Sequence, residues 1–399
     1  MNKPVNAENR KWLPDYIAIV VSNFIFNFGF YALEPTLPLY VSSLGASDTQ
    51  VGLVATGFFI AAVVTRIFIG LLVEKLGRKN MLRIGVIASV VFMLFYQLTA
   101  SSLGATVVRI LQGVGYGLVT TMFGSIAADI LPADKRGQGI GYLSMSTTGA
   151  VAFSPAVALA IVDKSGFKVM FLVAAAAMLL AALVCFFFVH VPEVVPDDTP
   201  VTLREKKPPV WKNFYDPRVT VPIIILMLFG ICRSSEQTFL PVLASTQGLT
   251  KLSVFFVMKT WICFASKILT GRLYDKRGPA ASIVPGGIAM FICLFLYSFT
   301  TSDTMLLIAA VFSGFALGQI IPAFQTYMME LVGRNRSLGN ALFYNGLDLG
   351  SALGGFIMGS VSDRTGYMTM FRICSMLMIV YVVVFILFVT IRKRRQETA

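Results

Sequence analysis

The sequence predicts an all-α polytopic membrane protein, with twelve transmembrane helices in two six-helix bundles related by a pseudo-twofold axis. Three observations carry this expectation. Composition is the first: 56% of the residues are hydrophobic and only 13% charged, mean hydropathy is +0.76, and a soluble domain would be about a quarter charged. Length is the second, because the apolar runs reach the roughly 17 to 25 residues that a helix needs to cross a bilayer. Repetition is the third. Gly70-Leu71-Leu72-Val73-Glu74-Lys75-Leu76-Gly77-Arg78-Lys79 returns 201 residues later as Gly271-Arg272-Leu273-Tyr274-Asp275-Lys276-Arg277-Gly278, and fainter echoes close on Gly166 and Gly366. Their carboxylates, Glu74, Asp163, Asp275 and Asp363, are spaced by 89, 112 and 88 residues. Two long halves, each made of two shorter units, produce that spacing.

In hydrocarbon a backbone finds partners only along a helix or around a closed barrel, and these runs are too long for barrel strands. The first helix, about 15–41, carries Asn23, Asn27 and Glu34 at i, i+4 and i+11, a stripe about 40° wide. The second, about 48–73, ends on the repeated motif, and the third, about 81–100, follows Gly77. The fourth, about 104–130, contains Arg109, Gly113 and Gly117; the fifth, about 137–162, contains Pro155; the sixth, about 168–190, ends at the single histidine, His190. Residues 191–217 break the pattern with Pro192, Pro196, Pro200, Pro208 and Pro209, and form an extended linker between an N-terminal bundle, 1–190, and a C-terminal bundle, 218–399. The seventh helix, about 218–243, carries Arg233 and Glu236 at i and i+3, and its Leu240-Pro241 matches Leu37-Pro38 of the first. The eighth, about 251–274, carries Lys259 and Lys267 and ends on the second strong motif; the ninth, about 279–300, follows Gly278. Gly314 and Gly318 of the tenth, about 303–330, match Gly113 and Gly117 at an offset of 201. The eleventh, about 337–362, holds Asp348, and the twelfth, about 366–391, runs into a short basic tail. Gly115, Gly117, Gly346, Gly350 and Gly354 are expected to let helices approach closely.

The net charge of +13 comes from short basic clusters between apolar runs, a pattern of membrane topology and not of nucleic-acid binding. Counted over alternating loops, 23 Lys and Arg fall on one side and 5 on the other. The basic side is cytoplasmic by the positive-inside rule, which places both termini there and the chain in the cell membrane. The five cysteines lie within apolar runs without a CxxC pair, so neither a disulfide framework nor a metal site is indicated, and no cofactor is implied. A membrane enzyme would want clustered His, Cys or carboxylates at a surface, and His190 stands alone. The first apolar run lacks a cleavage site and is long enough to stay in the membrane.

The repeated motif resembles that of the major facilitator superfamily, G-x-L-a-D-r-x-G-r-k, met by Gly70, Leu72, Val73, Lys75, Gly77, Arg78 and Lys79, with Glu74 in place of the usual aspartate. The similarity covers the whole chain. Arg109-Ile110-Leu111-Gln112-Gly113 is similar to a motif of the drug and metabolite proton antiporters. The antiporter signature of the fifth helix is poorly kept at 150–159, where Pro155 stands without the glycines. Residues 333–355 are similar, more weakly, to exporters of opine-type metal chelators and of other small metabolites. The resemblance implies a proton-coupled secondary transporter working by alternating access, expected to export a small amphipathic, anionic or zwitterionic metabolite or drug in exchange for protons. Uptake by proton symport is the alternative, and a non-transporting sensor would need an appended folded domain. The expected partners are a small-molecule solute, protons and the lipid bilayer, with no nucleic acid, and the chain is expected to act as a monomer.

Charges inside hydrocarbon are costly and usually face a cavity or a partner. Five bases (Arg66, Arg109, Arg233, Lys259, Lys267) stand against three acids (Glu34, Glu236, Asp348) within the spans, leaning the solute away from multivalent cations. Glu34, Arg109, Glu236 and Asp348 are the proton-coupling candidates. Glu34 and Arg109 lie at depths that agree to within about 3 Å, so a change in their separation would move a proton. Asn23, Asn27, Tyr31, Glu34, Arg233, Glu236, Phe324, Tyr327 and Tyr344 are the solute-binding candidates. Gly70, Glu74, Gly77, Arg78 and Asp129, with Asp275, Arg277 and Glu330 in the second half, are expected to turn the chain and form ion pairs that gate the cytoplasmic ends.

Overall fold

The computed structural model describes residues 12–132, 135–189, 217–332 and 336–397. Every regular element among them is a helix: α1 Trp12–Tyr31, α2 Leu33–Ser43, α3 Asp48–Leu76, α4 Arg78–Phe95, α5 Ser102–Ile130, α6 Arg136–Phe188, α7 Pro217–Thr246, α8 Leu252–Arg277, α9 Ala280–Tyr297, α10 Asp303–Leu331, α11 Arg336–Thr365 and α12 Tyr367–Glu397. Nine stretches among the described residues are long and apolar enough to cross a membrane; the longest, within α6, covers two expected spans, and α4 and α11 are not among the nine. Apart from Pro217, the expected linker lies outside the described residues, as do Lys3, Arg10, Lys11, the surroundings of Gly70 and the side chain of Glu74.

The breaks between helices have local causes. Pro35 lacks an N–H and its ring crowds the carbonyl four residues back, so the first expected span divides between Tyr31 and Leu33. Thr36 Oγ1 then donates to the Ala32 carbonyl at 2.7 Å. The four echoes of the motif end on Gly77, Gly166, Gly278 and Gly366, whose φ values are 74°, 79°, 78° and 80°. A side chain would strain each of these turns, which explains why glycine survives even in the fainter echoes.

Contacts group the chain into two compact units. The first is drawn from Met1–Thr36, Ala61–Ala100 and Val107–Arg204. Within it α1 lies along α6: Tyr16 OH donates to the Gly139 carbonyl at 2.7 Å, and Asn23 Nδ2 to Ser146 Oγ at 2.7 Å and Thr147 Oγ1 at 2.8 Å. Such bonds are favoured where the alternative is an unsatisfied polar group in hydrocarbon.

The second unit is drawn from Leu37–Ile60, Ser101–Thr106 and Glu205–Ala399. Here α7 packs on α11 and α8 on α10. A Cβ at Gly350 or Gly354 would lie 2.3 Å from the Met227 carbonyl oxygen or 2.6 Å from that of Ile231, so these glycines set how close α11 comes to α7. The internal duplication is visible in the same contacts. A Cβ on Gly117 would meet Ala62 O at 3.1 Å and Thr65 Cβ at 3.2 Å; one on Gly318 would meet Cys263 O at 2.5 Å and Ser266 Cβ at 2.7 Å. All three residues are displaced by 201.

Residues 37–60 belong to the second unit partly through the fourth echo. Asp363, at the end of α11, accepts from the backbone N–H of Asp48 at 2.6 Å and of Thr49 at 2.9 Å, and from the Thr49 hydroxyl. A carboxylate at a helix start satisfies free donors and complements the dipole. Burial disfavours the ionised form of Asp363, but the bonds from Thr49, Asp48 and Ser47 outweigh it and hold the carboxyl below its ordinary value.

Two outcomes are expected. Gly318→Val should destabilise the protein by about 1–3 kcal/mol, since backbone cannot move aside; Gly271→Ala, where a Cβ meets nothing within 4 Å, should leave the unfolding midpoint in detergent unchanged. A depressed carboxyl contributes stability above its unfolded-state value and loses it as pH falls through the folded-state value. The stability gap between the native protein and Asp363→Asn should therefore be full at neutral pH and close below the ordinary carboxylate range, as read by thermal unfolding across pH.

Candidate functional site

In the second unit, four helices meet at one carboxylate oxygen. Glu236, from α7, is 1% exposed. Its Oε1 accepts from Lys259 Nζ of α8 at 2.9 Å, Tyr297 OH of α9 at 3.1 Å and Ser313 Oγ of α10 at 2.6 Å. Its Oε2 is buried and has no hydrogen-bond partner. Lys259 is also buried, with its ammonium 5.6 Å and 5.8 Å from the ring centres of Phe255 and Phe256. Gly314 lets α10 reach this level, since a Cβ there would stand 2.3 Å from the Lys259 carbonyl oxygen. Two charges in so dry a place persist because they are paired and hydrogen-bonded.

Lys259, Cys263 and Lys267 recur every fourth residue of α8, within a stripe about 80° wide. The charges of Lys267, Lys259 and Arg233 all act on the Cys263 thiol. Arg233, Cys263 and Lys267 are half-buried. Arg233 makes no ion pair with a described residue, and its Nε is buried without a hydrogen-bond partner. Asp348, the third intramembrane acid, is buried on α11.

The first unit holds an aromatic counterpart. Glu34, in the first turn of α2, is half-buried, and its charge acts on Arg109 of α5. Arg109 Nη1 donates to Gln112 Oε1 at 3.1 Å, an oxygen that also accepts from Tyr96 OH at 3.0 Å. The guanidinium lies 5.1 Å from the centre of the Phe30 ring, which stacks on Tyr116 at 4.2 Å. Tyr31 OH is 3.3 Å from Tyr116 OH.

Other candidates are engaged in packing. Asn23 and Asn27 are buried; Asn23 is spent on α6, and Asn27 Nδ2 donates back to Asn23 O at 2.7 Å. Phe324 and Tyr327 pack with Phe385 of α12, and Arg392 Nη1 donates to Tyr327 OH at 3.3 Å. Tyr344 is 43% exposed and edge-on to Phe343. Among the gating residues, Arg78 is ion-paired with Asp129. The residue 201 positions after Arg78 is Pro279, and Glu330, the counterpart of Asp129, instead accepts from Tyr274 OH at 2.8 Å. Asp275 and Arg277 are exposed at the end of α8. Tyr297 and Ser313 were not among the residues singled out from sequence, where a lone hydroxyl in an apolar run carries no signal.

The profile described as Major Facilitator Superfamily matches residues 19–332 and 260–399. The chain belongs to the major facilitator superfamily. Among members, it is similar to the staphylopine export protein of Staphylococcus aureus, 25% identical over 92% of this chain and 94% of that protein. It is also similar to the multidrug resistance protein MdtG of Salmonella dublin, 23% identical over 88% of this chain and 89% of that one. In structure it is similar to the nucleoside transporter NupG, with a TM-score of 0.77 at 15% identity over 94% of this chain and 98% of NupG. The superfamily fold thus spans the whole chain.

Breaking a buried pair by removing one partner costs about 3–5 kcal/mol, because the other charge is stranded. Lys259→Met in this superfamily member should lower the unfolding midpoint sharply. Glu236→Gln with Lys259→Met should recover much of that loss, a coupling that a double-mutant cycle on thermal unfolding measures.

Proposed function

We propose that this transporter is a proton-coupled exporter: by alternating access it moves a small amphipathic, anionic or zwitterionic solute out of the cell in exchange for protons. The observation that carries the reading is Glu236. Three donors crowd onto one oxygen while the other, equally buried, has none. A proton arriving at Oε2 neutralises the acid and releases Lys259; its departure restores the pair. A small rearrangement of α8 against α7 is enough to part Lys259 from Glu236. The names of the staphylopine and MdtG relatives support export as the direction. Glu34 is the second proton-carrying candidate, supported by the charge of Glu34 acting on Arg109.

Arg78 with Asp129, and Tyr274 with Glu330, brace helix ends on the side read as cytoplasmic. Contacts of this kind, each with at least one partly exposed partner, are worth about 0–1 kcal/mol, so they bias the transport cycle without blocking it.

In inside-out membrane vesicles with an acidified lumen, adding a solute of the exporter should release protons and restore the fluorescence of a pH-gradient dye. Glu236→Gln should abolish that response, while Glu34→Gln should retain it. The reverse result would move the proton to Glu34 and Arg109, and a solute preloaded in the lumen that leaves it together with protons would identify a symporter.

A further inference from the structure

One turn of α7 presents two unsatisfied groups of opposite charge. Arg233 Nε is a buried donor without an acceptor, and Glu236 Oε2 is a buried acceptor without a donor. At i and i+3 their Cβ atoms lie about 5–6 Å apart along one face. A buried polar atom left without a partner is costly, and a charged one more so. The surroundings add to that cost: the charges of Arg233, Lys259 and Lys267 all act on the Cys263 thiol, and like charges near one another oppose each other. Lys259 is paired with Glu236, whereas Arg233 makes no ion pair with a described residue.

We propose that the solute is a zwitterion whose carboxylate binds Arg233, with Lys267 beside it, and whose ammonium group binds Glu236 Oε2. The proposal rests on Glu236 as the proton-carrying acid and explains why transport is an exchange. Proton and ammonium compete for the same oxygen, so each displaces the other. A purely anionic solute would behave otherwise. Protonating Glu236 would free Lys259 to hold it, and proton and anion would travel together.

Cys263 is a built-in reporter, because it is half-buried among the three bases while the other four cysteines are buried. The full-length protein in phosphatidylcholine nanodiscs is treated with methanethiosulfonate reagents bearing either an ethylsulfonate or an ethyltrimethylammonium group. In both, the Cys263 sulfur takes the thioalkyl group and methanesulfinate leaves. Labelling is read by mass spectrometry on the tryptic peptide from Thr260 to Lys267. The anionic reagent should react at least about tenfold faster than the cationic one. That preference should collapse in Arg233→Gln and persist in Arg233→Lys, which keeps the charge. L-leucine should slow labelling at lower concentration than 4-methylpentanoate or 3-methylbutylamine, each of which lacks one of its charges. Glu236→Gln should erase the advantage of leucine over 4-methylpentanoate.

Equal rates for the two reagents would overturn the cationic subsite. Equal protection by leucine and 4-methylpentanoate would overturn the ammonium subsite, and no protection by any of the three would overturn both. Suppression of labelling by phosphatidylglycerol in the disc, with none by leucine, would assign the bases to a lipid headgroup. None of these readings uses a pH gradient. Their failure leaves proton-coupled export standing, whereas intact labelling and protection with no gradient-driven exchange counts against that function alone.

Discussion

The hydrogen-bonded ion pair of Glu236 and Lys259 is the constraint on which the second unit depends. Neither charge is tolerable alone at 1% and 9% exposure, and the pair is tolerable only with its hydroxyl partners in place. Those partners come from different helices, Tyr297 on α9 and Ser313 on α10. One carboxylate oxygen therefore fixes four helices to a common level. The arrangement is incomplete, since the second oxygen is buried without a hydrogen-bond partner.

Such convergence requires helices that approach more closely than ordinary side chains allow. Glycine supplies the room at Gly314 and Gly318, where α10 meets the backbone of α8 at Lys259 and Cys263. The contact of Gly318 has its counterpart at Gly117 in the first unit. Duplication has thus conserved a packing surface within this chain while the chemistry beside it diverged. The first unit sets an arginine on an aromatic ring next to a half-buried acid, whereas the second sets a lysine on a fully buried one. A guanidinium, weakly hydrated and planar, suits the stacked position; an ammonium suits a point contact with one oxygen.

The carboxylates of the motif echoes show how one local device serves different ends. The glycine that follows each is kept for its left-handed turn. The acid is free to be used elsewhere, as Asp363 is at the start of α3. That contact helps to bring 37–60 into the second unit, a grouping that chain order conceals.

What the sequence determined by itself was the membrane, the helices and the duplication, because these rest on composition, on runs of apolar residues and on a fixed offset, all of which are local or periodic. It also marked Glu34, Arg109, Arg233, Lys259, Glu236 and Asp348, since a charge in an apolar run stands out without any knowledge of its neighbours. Their partnerships were not legible. Tyr297 lies 61 residues and Ser313 77 residues from Glu236, and nothing about a hydroxyl in a helix says which carboxylate it will face. Asn23 and Asn27 form a polar stripe in sequence, but whether such a stripe meets a solute or another helix depends on what packs against it; here Asn23 meets α6, while Asn27 turns back on Asn23. Only the tertiary structure decided which polar groups satisfy one another, because that depends on helix rotation and spacing, which side-chain packing sets between elements far apart in the chain.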